Sequence, residues 1–336
     1  MMWIGSEKME VRARVIVQEK GLYTISYDGN ENIAEVSGKF RYDARKPSDF
    51  PTVGDYVVAS WPEDGSYSII SEVFPRRSAF VRKVAGETYE EQVVAANIDT
   101  VFICMSLNQD FNLRRLERYI AVAWDSGATP AIVLTKADLC QDVSEKKAEA
   151  ESVAIGVDII VTSSKKADID SISQYIVSGK TYAFIGSSGV GKSTLINTLI
   201  GDSVIRTSEI REDDDKGRHT TTHRELISLK NGAFVIDTPG MREIGIMGHS
   251  DGIEAAFSDI EELISLCRFS NCTHTNEPGC EVLKAIEDGR LSAGRWSSYR
   301  KLATENLYNT NEAEYMKAKK EKFKEIAKVN KKRKAK

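Results

Sequence analysis

The run Gly186-Ser187-Ser188-Gly189-Val190-Gly191-Lys192-Ser193 constrains this chain more than any other. It fits GxxxxGK[ST], follows the apolar stretch Tyr182–Ile185 and opens a helical pattern over Gly191–Ile200. A strand, a glycine-rich turn and a helix in that order bring backbone N–H groups around phosphate oxygens. The helix N-terminus adds its positive dipole end. Lys192 is expected to reach the β and γ oxygens of a nucleotide. Ser193, followed by Thr194 in the same turn, is expected to supply a hydroxyl to Mg²⁺.

The flanking pattern suits such a turn. From Asp99 to Gly240, candidate strands Thr100–Met105, Ala131–Thr135, Ile159–Thr162, Tyr182–Ile185 and Ala233–Ile236 alternate with helical segments. Those segments are Asn112–Ser126, Ser144–Ile155, Asp168–Val177 and Gly191–Ile200. This alternation predicts an open parallel sheet covered by helices on both faces, with its ligand beyond the carboxyl ends of the strands.

Three further loops sit at such ends. Asp237-Thr238-Pro239-Gly240 fits DxxG after an apolar strand, so Asp237 is expected near Mg²⁺ and the Gly240 N–H near the γ-phosphate. Asp214-Asp215-Lys216-Gly217 also fits DxxG, but lies in a polar stretch and reads as a solvated turn. Thr135-Lys136-Ala137-Asp138 resembles the guanine-reading NKxD, with Thr in place of Asn. The Asp138 carboxylate suits guanine N1–H and N2–H₂, donors that adenine lacks, and the Lys136 stem can lie on the base. Thr135 is shorter than Asn and lacks its amide, so modest nucleotide affinity is expected. Ser163, in Val161-Thr162-Ser163-Ser164-Lys165, is expected to bring a backbone N–H near guanine O6.

The order of these loops is rotated. Small GTPases begin with the phosphate loop and end with the base-reading loops, whereas here the base-reading loops come first. That is a circular permutation, which a parallel sheet tolerates because termini can move to surface loops. Met241 follows DTPG where many GTPases carry a water-orienting Gln. The candidates for that task are His219, in Arg218-His219-Thr220-Thr221-Thr222, or a group from a partner. Thr221 is the favoured hydroxyl for Mg²⁺ and γ-phosphate.

Before the sheet, Val11–Gln18, Leu22–Tyr27, Ile33–Gly38, Tyr56–Ser60 and Ser66–Val73 read as five short strands separated by turn residues. They suit an OB-fold β-barrel, with an SH3-like module as the alternative. After the sheet, three of the five cysteines fall within fourteen residues. Cys267-x4-Cys272-x-His274-x5-Cys280 offers three thiolates and an imidazole, a closed donor set that suits one structural Zn²⁺. Disulfides are the alternative reading; Cys104 and Cys140 read as plain buried thiols. The expected limits are a barrel over 1–75, an α/β unit over 76–246 and a mainly helical metal unit over 247–336.

Hydrophobic residues make up 41% and charged residues 29% of 336, as expected of a soluble globular chain. No apolar run approaches the length of about eighteen that a membrane span needs. Met1 to Glu10 has no apolar stretch and carries Glu7 and Glu10, so no secretory signal and a reducing, cytoplasmic setting are expected. The net charge of −4 gives no general case for nucleic acid, but Met316 to Lys336 carries a net +9, suited to a polyanion. No coiled-coil heptad is visible, so a monomer is expected.

Taken together, barrel, rotated GTPase motifs, Cys-x4-Cys-x-His-x5-Cys and basic tail resemble the bacterial ribosome small-subunit-dependent GTPase A family. Pro75-Arg76-Arg77-Ser78, Gln92 to Asp99 and Gly217-Arg218-His219-Thr220-Thr221 resemble it too. The resemblance implies an OB-fold, GTP hydrolysis stimulated by the small (30S) ribosomal subunit, and a role in late maturation of that subunit and its 16S rRNA. It also implies zinc ligands at Cys267, Cys272, His274 and Cys280. Two other readings stay open: an ATP-dependent P-loop enzyme, and an RNA-binding assembly factor whose nucleotide is mainly structural.

Overall fold

The computed structural model describes residues 9–19, 21–62, 64, 66–83, 91–163, 170–200, 224–237 and 251–307. Five strands form the first unit: β1 (Met9–Glu19), β2 (Leu22–Tyr27), β3 (Asn30–Val36), β4 (Tyr56–Trp61) and β5 (Ser68–Val73). Inward residues alternate along them, as Val11, Ala13 and Val15 do on β1. The ladder runs β1-β2-β3-β5-β4, and β4 returns to β1, so the barrel closes with the OB-fold order. A helix, α1 (Gly38–Asp43), follows β3. The expected strand Ile33–Gly38 therefore stops early: Ser37 caps α1, its Oγ accepting the Phe40 N–H at 3.0 Å.

A hairpin that the sequence reading missed, β6 (Ala79–Lys83) with β7 (Glu91–Ala96), leads into the α/β unit. Its strands are β8 (Thr100–Ser106), β9 (Thr129–Thr135), β10 (Asp158–Val161), β11 (Thr181–Ile185), β12 (Arg224–Ser228) and β13 (Phe234–Asp237). They lie in the order β10-β9-β8-β11-β13-β12, parallel except for β12. The helices are α2 (Leu113–Asp125), α3 (Val143–Glu151), α4 (Asp170–Ser173) and α5 (Lys192–Ile200). The expected helix Asp168–Val177 is cut short for a visible reason. The Tyr182 phenol accepts the Val177 N–H and donates to the Tyr175 carbonyl, both at 2.8 Å, so backbone groups that would extend a helix bond a strand residue instead.

Barrel and sheet are continuous. Val17 and Gln18 of β1 pair with Glu225 and Arg224 of β12, the strand that sequence reasoning had overlooked. Beside this seam the buried Arg14 guanidinium donates to Thr181 Oγ1 at 2.6 Å and lies over the rings of Tyr56 and Phe234. The resemblance-bearing stretch around Arg76 also works here. Arg76 forks onto the fully buried Asp55, at 2.8 and 2.7 Å.

The last unit comprises α6 (Asp251–Ala256), α7 (Ser258–Ser265), α8 (Glu281–Glu287) and a helix α9 at residues 293–307. Phe257, Ile260, Val282, Leu291, Trp296 and Leu302 share one core with Leu116 and Ile120 of α2. At Gly252 a Cβ would meet the Ala121 carbonyl at 2.4 Å, so glycine lets α6 approach α2. Arg295, 4% exposed, donates to the fully buried Glu117 at 3.2 Å and to Asp259 at 2.6 and 2.8 Å. Replacing it by Ala strands Glu117 among apolar neighbours with Arg114 as its one remaining charged partner among the described residues. Arg295→Ala is expected to lower stability by about 3–5 kcal/mol, measured by urea unfolding. Among the described residues, no helix is long and apolar enough to cross a membrane.

Candidate nucleotide site and metal centre

Among the described residues, three of the loops singled out from the sequence converge, those that follow β9, β10 and β11. β11 ends in Gly186, whose φ is 144° and where a Cβ would meet the Cys104 carbonyl at 2.3 Å. Only glycine fits so close to the neighbouring strand. The loop continues through Ser187, Ser188 and Gly189, dips at the buried Val190, and passes Gly191 into α5. Lys192 Nζ donates to the carbonyls of Gly186 at 2.9 Å and Ser187 at 2.5 Å, which holds the ammonium over the loop mouth. Ser193 is half-buried and Thr194 exposed in the same turn. Beneath the loop, burial pushes the Cys104 thiol up to about 12, so it is a protonated filler rather than a nucleophile.

Thr135 closes β9 against this loop. Its hydroxyl, in a side chain only 4% exposed, donates to the Val190 carbonyl at 2.7 Å. The residue expected to weaken the site is therefore a hydrogen-bonded tie between the Thr135–Asp138 loop and the glycine-rich loop. Next, Lys136 adopts φ 60°, and Ala137–Leu139 forms a 3-10 turn that lifts Asp138 to the surface. The Ala137 N–H donates to the Thr162 carbonyl at 3.1 Å, and the Thr162 N–H to the Leu134 carbonyl at 2.8 Å. The half-buried Ser163 follows directly. Thr135→Val leaves the Val190 carbonyl unpaired and is expected to raise the KM for GTP on the order of tenfold, while Thr135→Ser stays near wild type. Steady-state turnover against GTP concentration measures this.

Asp237 ends β13, which lies beside β11 with Ile236 level with Ala183. Its side chain, together with His219, Thr220 to Thr222, Thr238 to Gly240, the second DxxG match and the basic tail, lies outside the described residues. One contact with the loop was not anticipated. Arg115, in the first turn of α2, donates to the Ser187 hydroxyl and to Asp110 Oδ1 at 2.8 Å. Its signal was positional: it lies just past the end of β8, the strand beside β11.

The second site is built from Cys267, Cys272, His274 and Cys280, whose donor atoms all lie within 4.8 Å of one another. Cys267 Sγ lies 3.6 Å from His274 Nδ1 and 4.0 Å from Cys280 Sγ, and Cys280 Sγ lies 3.5 Å from His274 Nδ1. A tetrahedron with Zn–S of about 2.3 Å and Zn–N of about 2.0 Å spaces its corners by roughly 3.5–3.8 Å, so the donor set fits that ion. All five cysteines are free, which removes the disulfide alternative, and Cys140 is only partly buried. Desolvation lowers the His274 pKa, with Glu277 opposing, which favours the neutral, ligating imidazole. Desolvation also raises the Cys272 thiol to about 11, with the neighbouring thiols adding to the shift. Glu277 braces the loop between ligands, accepting the N–H groups of Thr273 at 2.9 Å and Thr275 at 3.0 Å.

A glycine-rich P-loop at the centre of a six-strand α/β sheet, reached in the chain only after the loops that end β9 and β10, defines a circularly permuted P-loop GTPase. The RsgA GTPase family matches residues 73–247. The chain belongs to that family. It is 47% identical to small ribosomal subunit biogenesis GTPase RsgA 2 of Lactiplantibacillus plantarum, over 91% of this chain and 86% of that relative. It is 45% identical to small ribosomal subunit biogenesis GTPase RsgA of Methanosarcina acetivorans, over 82% and 76%. Among solved structures, YjeQ from Thermotoga maritima matches with a TM-score of 0.67 at 25% identity, covering 89% of this chain and 99% of that one. YloQ, described as a circularly permuted GTPase, matches with a TM-score of 0.63 at 27% identity, covering 91% and 98%.

Proposed function

We propose that this GTPase acts in biogenesis of the small ribosomal subunit, and that contact with the subunit and its 16S rRNA stimulates its turnover. The observation that carries the reading is the stitched loop cluster of Thr135, Val190 and Thr162, joined to the kinship with relatives named for that process. Lys192 and the N–H groups from Ser188 to Ser193 neutralise and cradle the β and γ oxygens of GTP. Asp138 accepts from the guanine edge, Lys136 lies on the base and Ser163 faces O6. Ser193, Thr221 and Asp237 would hold Mg²⁺, which would supply positive charge against the phosphates. The Gly240 N–H meets the γ-phosphate, and His219 orients the attacking water. The Cys267, Cys272, His274 and Cys280 set would hold one structural Zn²⁺, a closed donor set that leaves it a structural rather than a catalytic role.

The protein works as a monomer in the cytoplasm, and its basic tail contacts RNA phosphates. Limits of 1–75, 76–246 and 247–336 serve for the three units, a division supported by β5 ending at Val73 and α6 starting at Asp251. GTP turnover titrated with purified small subunits tests the proposal, with ATP as competitor. Turnover is expected to rise with subunit concentration and to be insensitive to ATP. Flat turnover would favour a mainly structural nucleotide, and equal competition by ATP would overturn the role of Asp138.

A further inference from the structure

We infer that Arg115 is a positioning residue for the phosphate loop, acting through Ser187; the inference rests on that loop holding the nucleotide phosphates. Arg115 donates to the Ser187 hydroxyl and, at 2.8 Å, to Asp110 Oδ1. The carboxylate that aims it is itself fixed. Asn108 Oδ1 accepts the Asp110 N–H at 3.0 Å and the hydroxyl of the buried Ser106 at 2.8 Å, which ties this turn to the end of β8. The other Asp110 oxygen, Oδ2, is buried without a partner among the described residues. The Asp110 side chain as a whole is 37% exposed, and its charge-assisted bond with Arg115 serves to aim the guanidinium at the loop. The helix turn is held as well, because Asn112 Oδ1 accepts the Arg115 N–H at 3.1 Å.

Ser187 is thereby gripped from two sides, its side chain by Arg115 and its carbonyl by Lys192 at 2.5 Å. The hydroxyl is engaged by a group outside the loop, so Arg115 acts on the nucleotide through the loop's shape. A loop already set in its binding form loses less freedom when phosphates arrive. That benefit is shared by the diphosphate, the triphosphate and the transition state, so it belongs in KM and in the dissociation constant for GDP, not in kcat. Two and three residues along the same helix, Glu117 meets Arg295 at 3.2 Å and Arg118 forks onto Glu305 at 2.7 Å. The helix that trims the loop is thus bolted to the metal-bearing unit.

The test uses the full chain, a fluorescent GDP analogue and GTP turnover. Arg115→Met is expected to raise both the analogue's dissociation constant and KM about tenfold, with kcat within about threefold of wild type. Ser187→Ala is expected to reproduce it, and the double variant to be no worse than either alone. Multiplying effects, unchanged affinity in Arg115→Met, or a lowered unfolding midpoint with KM intact would each overturn the inference. A wild-type chain that binds no analogue would instead remove the phosphate-loop reading itself, so the two failures are distinguishable.

Discussion

Lys192→Ala is expected to cut GTP turnover by about 10²- to 10³-fold, the size of loss seen when a preorganised donor to developing charge is removed. The ammonium is the one formal positive charge that the loop itself carries, and the carbonyls of Gly186 and Ser187 are among its protein contacts. Removing it leaves α5 and its buried Leu195 and Ile196 in place, so the unfolding midpoint is expected to stay near wild type. Single-turnover assays at saturating GTP separate the two effects. Wild-type turnover from the variant would mean that the β and γ oxygens are held elsewhere.

Cys272→Ser is expected to strip the metal and loosen the whole segment from Cys267 to Cys280. Binding of structural zinc is worth on the order of 10–16 kcal/mol in small zinc peptides, far more than any single contact here. The consequence should spread beyond the loop. Cys280 is also the N-cap of α8, its Sγ accepting the Leu283 N–H at 3.5 Å. His274 stands edge-on to Trp296, whose ring stacks on Tyr299. Metal analysis should read about one zinc per wild-type chain and almost none in the variant, while Cys104→Ser keeps its metal. Full zinc content in Cys272→Ser would contradict the ligand set.

The layout of the candidate site was legible where it is written in short local patterns. The phosphate loop, Thr135 to Asp138 and the cysteine cluster need particular residue types at fixed spacings, and the structure brings each group together. The five barrel strands were legible from alternation. What escaped depends on partners distant in sequence. β12 exists because β13 and β1 flank it, not because Arg224 to Ser228 has a marked pattern of its own. The shortened α4 depends on the Tyr182 phenol. Arg115 looked like one more charge on an amphipathic helix, and its contact with a loop 72 residues away follows from β8 lying beside β11. Thr135 was read as a loss against Asn because its acceptor, the Val190 carbonyl, lies 55 residues on.

The pairing of β1 with β12 has a bearing on how this chain could be dissected. Amputating the barrel would not yield a tidy enzymatic fragment. It would lay bare the edge of β12 at Arg224 and Glu225 that the first strand now covers, giving stray chains a raw border to zip onto. Clumping of such a stump, relieved when the barrel is supplied in trans, would be the laboratory trace of that seam.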